Sequence, residues 1–327
     1  MTGLQHVFGP VPSRRLGRSL GVDVIPRKLC TLDCIFCEIG RTDKRALRRK
    51  EYVAPSKVLP EIRTAVQAGG IDTITFSGSG EPTLNSSLGF MIHDVKSWTT
   101  LPVAVITNGT LLFMQDVRRD LLEADIVLPS LNAATPDAFE RTNRPHPQLK
   151  LDMILEGLKQ FRTEYRGRFW LEVVLVSGFN DSKAELAALK SAIARIRPDR
   201  IQLNTVVRPP SEQYARRLSM DRLEEIREYF GDMCEVIPDC VGPQDNARDH
   251  VEQQDIVAMI SRRPMTAADI AVSVRMSLAA IRRQLALLEQ DQIVQSNFYG
   301  GEWYYRSAER KSVARPRSVQ RSTGGMT

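Results

Sequence analysis

Cysteine is scarce in this 327-residue chain, which holds five, and their uneven placement excludes a disulfide framework. Long hydrophobic runs are missing too. The longest, 170–176 and 103–107, are of strand length and far below the roughly 20 apolar residues that cross a bilayer, so no membrane partner is expected. The opening stretch MTGLQHVFGPVPSRRLG lacks an apolar segment followed by a small-residue cleavage site, and the expected location is cytoplasmic. There is no internal repeat. What remains is an ordinary globular composition, 42% hydrophobic and 26% charged, with length for one barrel-sized domain and a small appendage. The net charge of +6 favours the approach of a phosphate-bearing partner without requiring one. Much of that excess lies in the closing residues, and 308–327 read as a disordered basic tail.

Three of the five cysteines fall within eight residues, Cys30-Thr-Leu-Asp-Cys34-Ile-Phe-Cys37, while Cys234 and Cys240 lie far downstream. Three clustered thiols point to a soft metal held by thiolates. Zinc is one reading, although a closed zinc site wants four ligands and no fourth lies nearby. A [4Fe-4S] cluster is the other, with one iron left open to an exogenous ligand. With Phe36 before the last cysteine, the Cys-x3-Cys-x2-Cys spacing resembles the signature of the radical S-adenosylmethionine (SAM) superfamily. The resemblance implies that Cys30, Cys34 and Cys37 are the metal ligands and the catalytic centre. It implies that the open iron chelates the amino and carboxylate groups of SAM, and that a reduced cluster cleaves SAM to methionine and a 5′-deoxyadenosyl radical. Such an oxidoreductase needs an electron donor as partner.

Apolar runs at 20–26, 72–78, 101–109, 126–132, 169–177 and 200–207 alternate with helical patterns, the first at 56–67. Alternation of this kind argues for an α/β fold with parallel βαβ units. The resemblance implies a partial (β/α)6 barrel over 20–242, with 1–19 as an N-terminal loop packed on it. Active-site groups then belong at the C-terminal ends of the strands. After the second run stand Gly78, Ser79, Gly80 and Glu81, small residues that let backbone approach a ligand closely. They resemble the family's Gly-Gly-Glu motif, which implies contact with the SAM amino group, Ser79 replacing the commoner glycine.

Asn108 ends the third run, and Ser130 and Asn132 end the fourth. The resemblance implies SAM ribose and carboxylate contacts near the fourth strand; a helix cap or turn is the competing reading for each polar residue. Arg144, close to Arg141, is either a bidentate partner of the SAM carboxylate or a surface arginine. Asn204 and Arg208 close the sixth run in a further polar cluster.

The segment before the barrel carries Pro10, Pro12, Arg14, Arg15 and Arg18, which suit a rigid, anion-facing loop. With Gly40-Arg41-Thr42 it resembles a subgroup related to tRNA-wyosine synthases. Residues 1–29 hold no cysteine for a second cluster, so wyosine formation itself is not expected. Cys234 and Cys240 read as structural. Helical patterns at 251–261, 266–274 and 277–290, then an alternating 293–306, resemble a winged helix-turn-helix domain over 250–307. Thr266 and Ser277 are N-cap candidates and 299–302 turns the wing. Arg282 and Arg283 either enter a nucleic-acid groove or form the solvated side of a helix whose apolar side is Ile281, Leu285 and Leu288. The functional expectation is a radical SAM enzyme acting on a tRNA base or other nucleic acid, with a peptide or protein substrate next. The alternative is a redox-sensing Fe-S transcription regulator that binds DNA through the winged helix.

Overall fold

The computed structural model describes residues 4–42, 44–237, 253–274 and 276–308. The chain begins with an antiparallel hairpin, β1 (Val7–Ser13) and β2 (Gly17–Val22), followed by a short parallel clip, β3 (Leu29–Cys30) with β4 (Lys44–Arg45). Strands and helices then alternate: α1 (Pro55–Gln67), β5 (Thr73–Phe76), a 3-10 turn at Pro82–Leu84, α2 (Leu88–Trp98), β6 (Val103–Thr107), α3 (Gln115–Leu121) and β7 (Ile126–Pro129). After two helices, α4 (Pro136–Asn143) and α5 (Leu151–Glu164), come β8 (Arg168–Leu175), α6 (Lys183–Ile196), β9 (Arg200–Thr205), α7 (Met220–Phe230) and β10 (Cys234–Val236).

One eight-stranded sheet results, in the order β1-β2-β5-β6-β7-β8-β9-β10, parallel except for β1. The six expected strands are β2 and β5 through β9. Two were not anticipated. Residues 7–13, expected as part of a loop, form β1, and Cys234 sits in β10 against β9. The strands also stop before the apolar runs do: β2 ends at Val22 and β7 at Pro129, so the residues beyond them are free to build loops.

Alternation along the strands sorts side chains to two faces. Val103, Val105, Val127, Leu171 and Val173 join the main core beneath the helices. Ala104, Ile126 and Leu128 face the other way and bury Leu16, from the β1–β2 turn, among them. Next to it Arg15 reaches across the concave side of the sheet: its Nη1 lies 2.7 Å from Glu172 Oε1 on β8 and 3.3 Å from Gln202 Oε1 on β9. The described strands form no ladder between β1 and β10, and the side-chain contacts of the hairpin turn reach β8 and β9.

The C-terminal unit comprises α8 (Gln253–Arg262), β11 (Met265–Thr266), α9 (Ala267–Val274), α10 (Leu278–Gln290), β12 (Val294–Tyr299) and β13 (Glu302–Ser307). Its three strands pair antiparallel in the order β11-β13-β12. Thr266 Oγ1 accepts from Asp269 N at 3.1 Å and Ser277 Oγ from Ala280 N at 3.2 Å, capping α9 and α10. Ile281, Leu285 and Leu288 are buried while Arg282 and Arg283 are exposed. The unit's core includes Val11 of β1, with Phe8 packed against it. Tyr304 OH donates to Val207 O at 2.8 Å, and Arg27 Nη1 to Ser261 O at 2.7 Å. Cys240 and the basic tail beyond residue 308 lie outside the described residues. No described helix is long and apolar enough to cross a membrane.

Removing the Leu16 side chain leaves a hole inside the curled sheet. Leu16→Ala is expected to cost about 3 kcal/mol in urea unfolding, against less than about 1.5 kcal/mol for the volume-conserving Leu16→Met. Equal losses in the two variants would mean that the turn does not plug the sheet.

Candidate active site

The cysteine loop is held at both ends. Ala46 N donates to Cys30 O at 2.8 Å through the β3–β4 clip, and Cys37 N to Cys34 O at 3.1 Å. In the middle the loop docks on the end of α4, with Asp33 N bonded to Asn143 O at 3.0 Å and Ile35 N to Thr142 O at 3.0 Å. None of the three thiols is in a disulfide, and all are partly buried. Two accept an amide N–H: Asn108 Nδ2 lies 3.4 Å from Cys30 Sγ and Asn143 Nδ2 3.2 Å from Cys34 Sγ. Burial pushes the Cys30 thiol up to about 12, with the Glu81 carboxylate adding to the rise, and the Cys37 thiol up to about 11. Cys34 is raised by burial and then by the other two cysteines. Three mutually repelling buried thiolates call for a cationic centre to hold them ionised.

The loop after β5 is placed by a close backbone crossing. A Cβ on Gly80 would lie 1.9 Å from the Leu29 carbonyl oxygen, and Glu81 N donates to that oxygen at 3.1 Å. Gly78, at φ +139°, takes a conformation that other residues rarely adopt, and its neighbour Ser79 donates through Oγ to Asp23 Oδ2 at 2.5 Å. Glu81 is buried. Its Oε1 accepts from Thr83 N at 3.0 Å, Thr83 Oγ1 at 2.6 Å and Thr107 Oγ1 at 2.6 Å, and its Oε2 from Asn108 N at 2.7 Å. Burial raises the carboxyl and these donors oppose the rise. Asn108 passes the linkage on, bonding Thr31 Oγ1 at 2.7 Å beside the Cys30 sulfur.

These groups meet in a cavity of about 360 Å3. Its walls include Cys30, Phe36, Cys37, Gly78, Gly80, Glu81 and Asn108. Four expected ligand contacts stand elsewhere. Ser79 faces Asp23, and Ser130 Oγ bonds Glu172 Oε2 at 3.3 Å behind the wall. Asn132 Oδ1 accepts from Val174 N at 2.8 Å, so its amide stitches the end of β7 to β8. The Arg144 guanidinium is engaged by Asp33 at 3.2 Å and Glu212 at 2.8 Å, which ties the cysteine loop to residues after β9 rather than facing the cavity. Asn204 and Arg208, from the end of the sixth run, both line the cavity, and Asn204 Nδ2 bonds Glu172 Oε1 at 3.2 Å.

Sequence reasoning passed over Glu172, Glu38, Arg262 and Arg263, all in the cavity wall. Glu172 carried a faint signal, an acid inside an otherwise apolar run; the two arginines carried none, because they reach the cavity only through docking of the C-terminal unit.

The family model of the radical SAM superfamily matches residues 24–189. The chain belongs to that superfamily. It is 37% identical over 305 residues to a GTPase Obg of Brachyspira hyodysenteriae, covering 92% of this chain but only 45% of that protein. A UPF0026 protein of Helicobacter pylori strain J99 is 35% identical over 270 residues, 81% of this chain and 87% of its own. Among solved structures, a radical SAM methyltransferase from Sphaerobacter thermophilus superposes with a TM-score of 0.53 at 21% identity, over 67% of this chain and 65% of its own. TYW1 with a lysine-pyruvate adduct superposes with a TM-score of 0.50 at 19% identity, over 68% and 75%. Both share the α/β fold.

Radical SAM proteins use a [4Fe-4S] cluster and SAM. The donor set fits such a cluster: three thiols free of disulfides on one loop, two of them, Cys30 and Cys37, lining the cavity, and Cys30 and Cys34 receiving N–H bonds of the kind that stabilise cluster sulfurs. Among the described residues no group of three or more His, Cys, Asp or Glu is already drawn together as a metal site.

The Gly80 crossing yields a direct test. Gly80→Ala is expected to destabilise the protein by about 2 kcal/mol, because backbone must shift to admit the methyl group. Iron bound per chain after anaerobic reconstitution should fall with it, since Leu29 adjoins Cys30. Full iron content in a destabilised Gly80→Ala protein would separate the crossing from the cysteine loop.

Proposed function

We propose that the protein is a radical SAM enzyme whose Cys30, Cys34 and Cys37 hold the [4Fe-4S] cluster and whose cavity seats SAM against Gly78, Gly80, Glu81, Asn108 and Phe36. The observation that carries this reading is the shared cavity: two of the three cysteines and the Gly-Ser-Gly-Glu loop face the same space. When bound and reduced by an external electron donor, the cluster and SAM supply a 5′-deoxyadenosyl radical that takes a substrate hydrogen. The chain's own residues bind, orient and shield. Asn108 and Asn143 steady two of the sulfurs, Glu81 locks the ends of β5 and β6 together, and Phe8, Val11, Leu16, Val206 and Val207 give the cavity apolar walls that exclude water.

In this reading residues 20–242 are the catalytic unit, a partial (β/α)6 barrel, and 250–307 are a winged-helix unit. A nucleic-acid substrate, with a tRNA base first, is supported by the exposed Arg282 and Arg283 on α10. It is also supported by 26% identity over 183 residues to the dual-specificity RNA methyltransferase RlmN of Geobacter sulfurreducens. A pure redox-sensing regulator is less well supported, since it would have no use for a cavity beside the cysteines.

Anaerobic reconstitution followed by dithionite and SAM should give a [4Fe-4S] signal in electron paramagnetic resonance, together with methionine and 5′-deoxyadenosine in equal amounts. Cys34→Ala should lose both readouts, while Cys234→Ala, in β10 and away from the cavity, should keep them. Mass spectrometry of tRNA and peptide pools from the same reactions identifies the product. Stoichiometric zinc, or nucleoside release that persists without Cys34, would sink the assignment.

A further inference from the structure

The cavity has a second wall whose charge the SAM site leaves unexplained. Arg14 and Arg15 from the β1–β2 turn, Arg208 after β9, and Arg262 and Arg263 from the end of α8 all line it, against the carboxylates Glu38, Glu81 and Glu172. Most of these charges are matched within the protein. Glu172 pairs with Arg15 at 2.7 Å, Glu38 with Arg208 at 3.1 Å and Arg262 with Asp23 at 2.6 Å, while Glu81 is satisfied by hydroxyl and backbone donors. Arg263 makes no hydrogen bond or close ion pair with the described residues.

Six buried side-chain nitrogen and oxygen atoms lack a partner among the described residues, and three of them are the Nε atoms of Arg208, Arg262 and Arg263. Buried donors are almost always satisfied, so three exceptions in the lining of one cavity ask for an acceptor beyond the described residues. Burial pulls the Arg263 guanidinium down to about 10, with Arg208 pressing the same way against the pull of Glu38 and Asp269, and Arg14 is lowered by burial, Arg208 and Arg15 against Glu38 and Glu172. A site that makes arginines repel one another is one where an oxyanion is welcome, and guanidinium groups meet phosphate or carboxylate with paired N–H donors.

Taking the cavity as the active site, as above, we propose that the substrate carries an anionic group, a phosphate or a carboxylate, seated between Arg208 and Arg263 with Arg14 beside them. Arg263 belongs to the C-terminal unit, which thereby forms part of the substrate pocket as well as packing on β1.

Calorimetric titration of the reconstituted full chain with inorganic pyrophosphate and, separately, with citrate tests this. At least one anion should bind, Arg263→Gln should weaken it tenfold or more, and Arg195→Gln, exposed on α6 away from the cavity, should not. The melting temperature of unliganded Arg263→Gln should stay level or rise, because a repelling charge has been removed. SAM affinity, measured by equilibrium dialysis, should hold. Preference for pyrophosphate or citrate assigns the group, and displacement of pyrophosphate by tRNA places the phosphate on a nucleic acid rather than a small molecule. The proposal is overturned if neither anion binds, if Arg263→Gln melts lower while binding the anion normally, or if SAM affinity falls in parallel with anion affinity. Anion binding is read without SAM turnover, so its failure is distinct from failure of the radical SAM assignment.

Discussion

The carbonyl oxygen of Leu29 occupies the space that a side chain at position 80 would need. From that crossing the site's order propagates by short bonds. Glu81 N meets the Leu29 carbonyl, the Glu81 carboxylate gathers Thr83, Thr107 and Asn108 N, and the Asn108 amide returns to Thr31 and the Cys30 sulfur. The circuit joins the cysteine loop to the ends of two parallel strands. A buried carboxylate with four donors is rigid because each donor would otherwise be orphaned. The glycine at 80 is therefore a packing requirement, whereas Gly78 answers to its backbone angle.

Much of this was legible in the chain, for identifiable reasons. Six parallel strands announce themselves as apolar runs because both faces of such a sheet are covered, one by helices and one by the hairpin turn. β1 was hidden by Gly9, Pro10 and Pro12, residues that argue against a strand except at an edge, which is where β1 lies. β10 is three residues long and too short to show a pattern. The cysteine motif is local, so its spacing carries its meaning. Polar residues at strand ends are different, since their identity says nothing about direction. Asn132 turns to the Val174 amide and Arg144 to Asp33 and Glu212, choices set by partners far away in sequence. Arginines at 14, 208 and 263 become neighbours only when the hairpin, the loop after β9 and the C-terminal unit converge.

That convergence bears on what the C-terminal unit is for. A domain that only delivered a substrate could be tethered loosely, its own core complete. Here Val11 of β1 is buried in the core of the C-terminal unit, and the same strand leads into the turn that plugs the curled sheet with Leu16 and Arg15. β1 thus has one face in each unit, and Arg262 fixes the junction by pairing with Asp23, the residue that also holds Ser79 in the loop after β5. Displacing the C-terminal unit would strip Asp23 of its cation and uncover Val11, disturbing both the loop after β5 and the β1–β2 turn. The two units are joined through Asp23 and β1, and Arg262 and Arg263 of the C-terminal unit line the cavity itself.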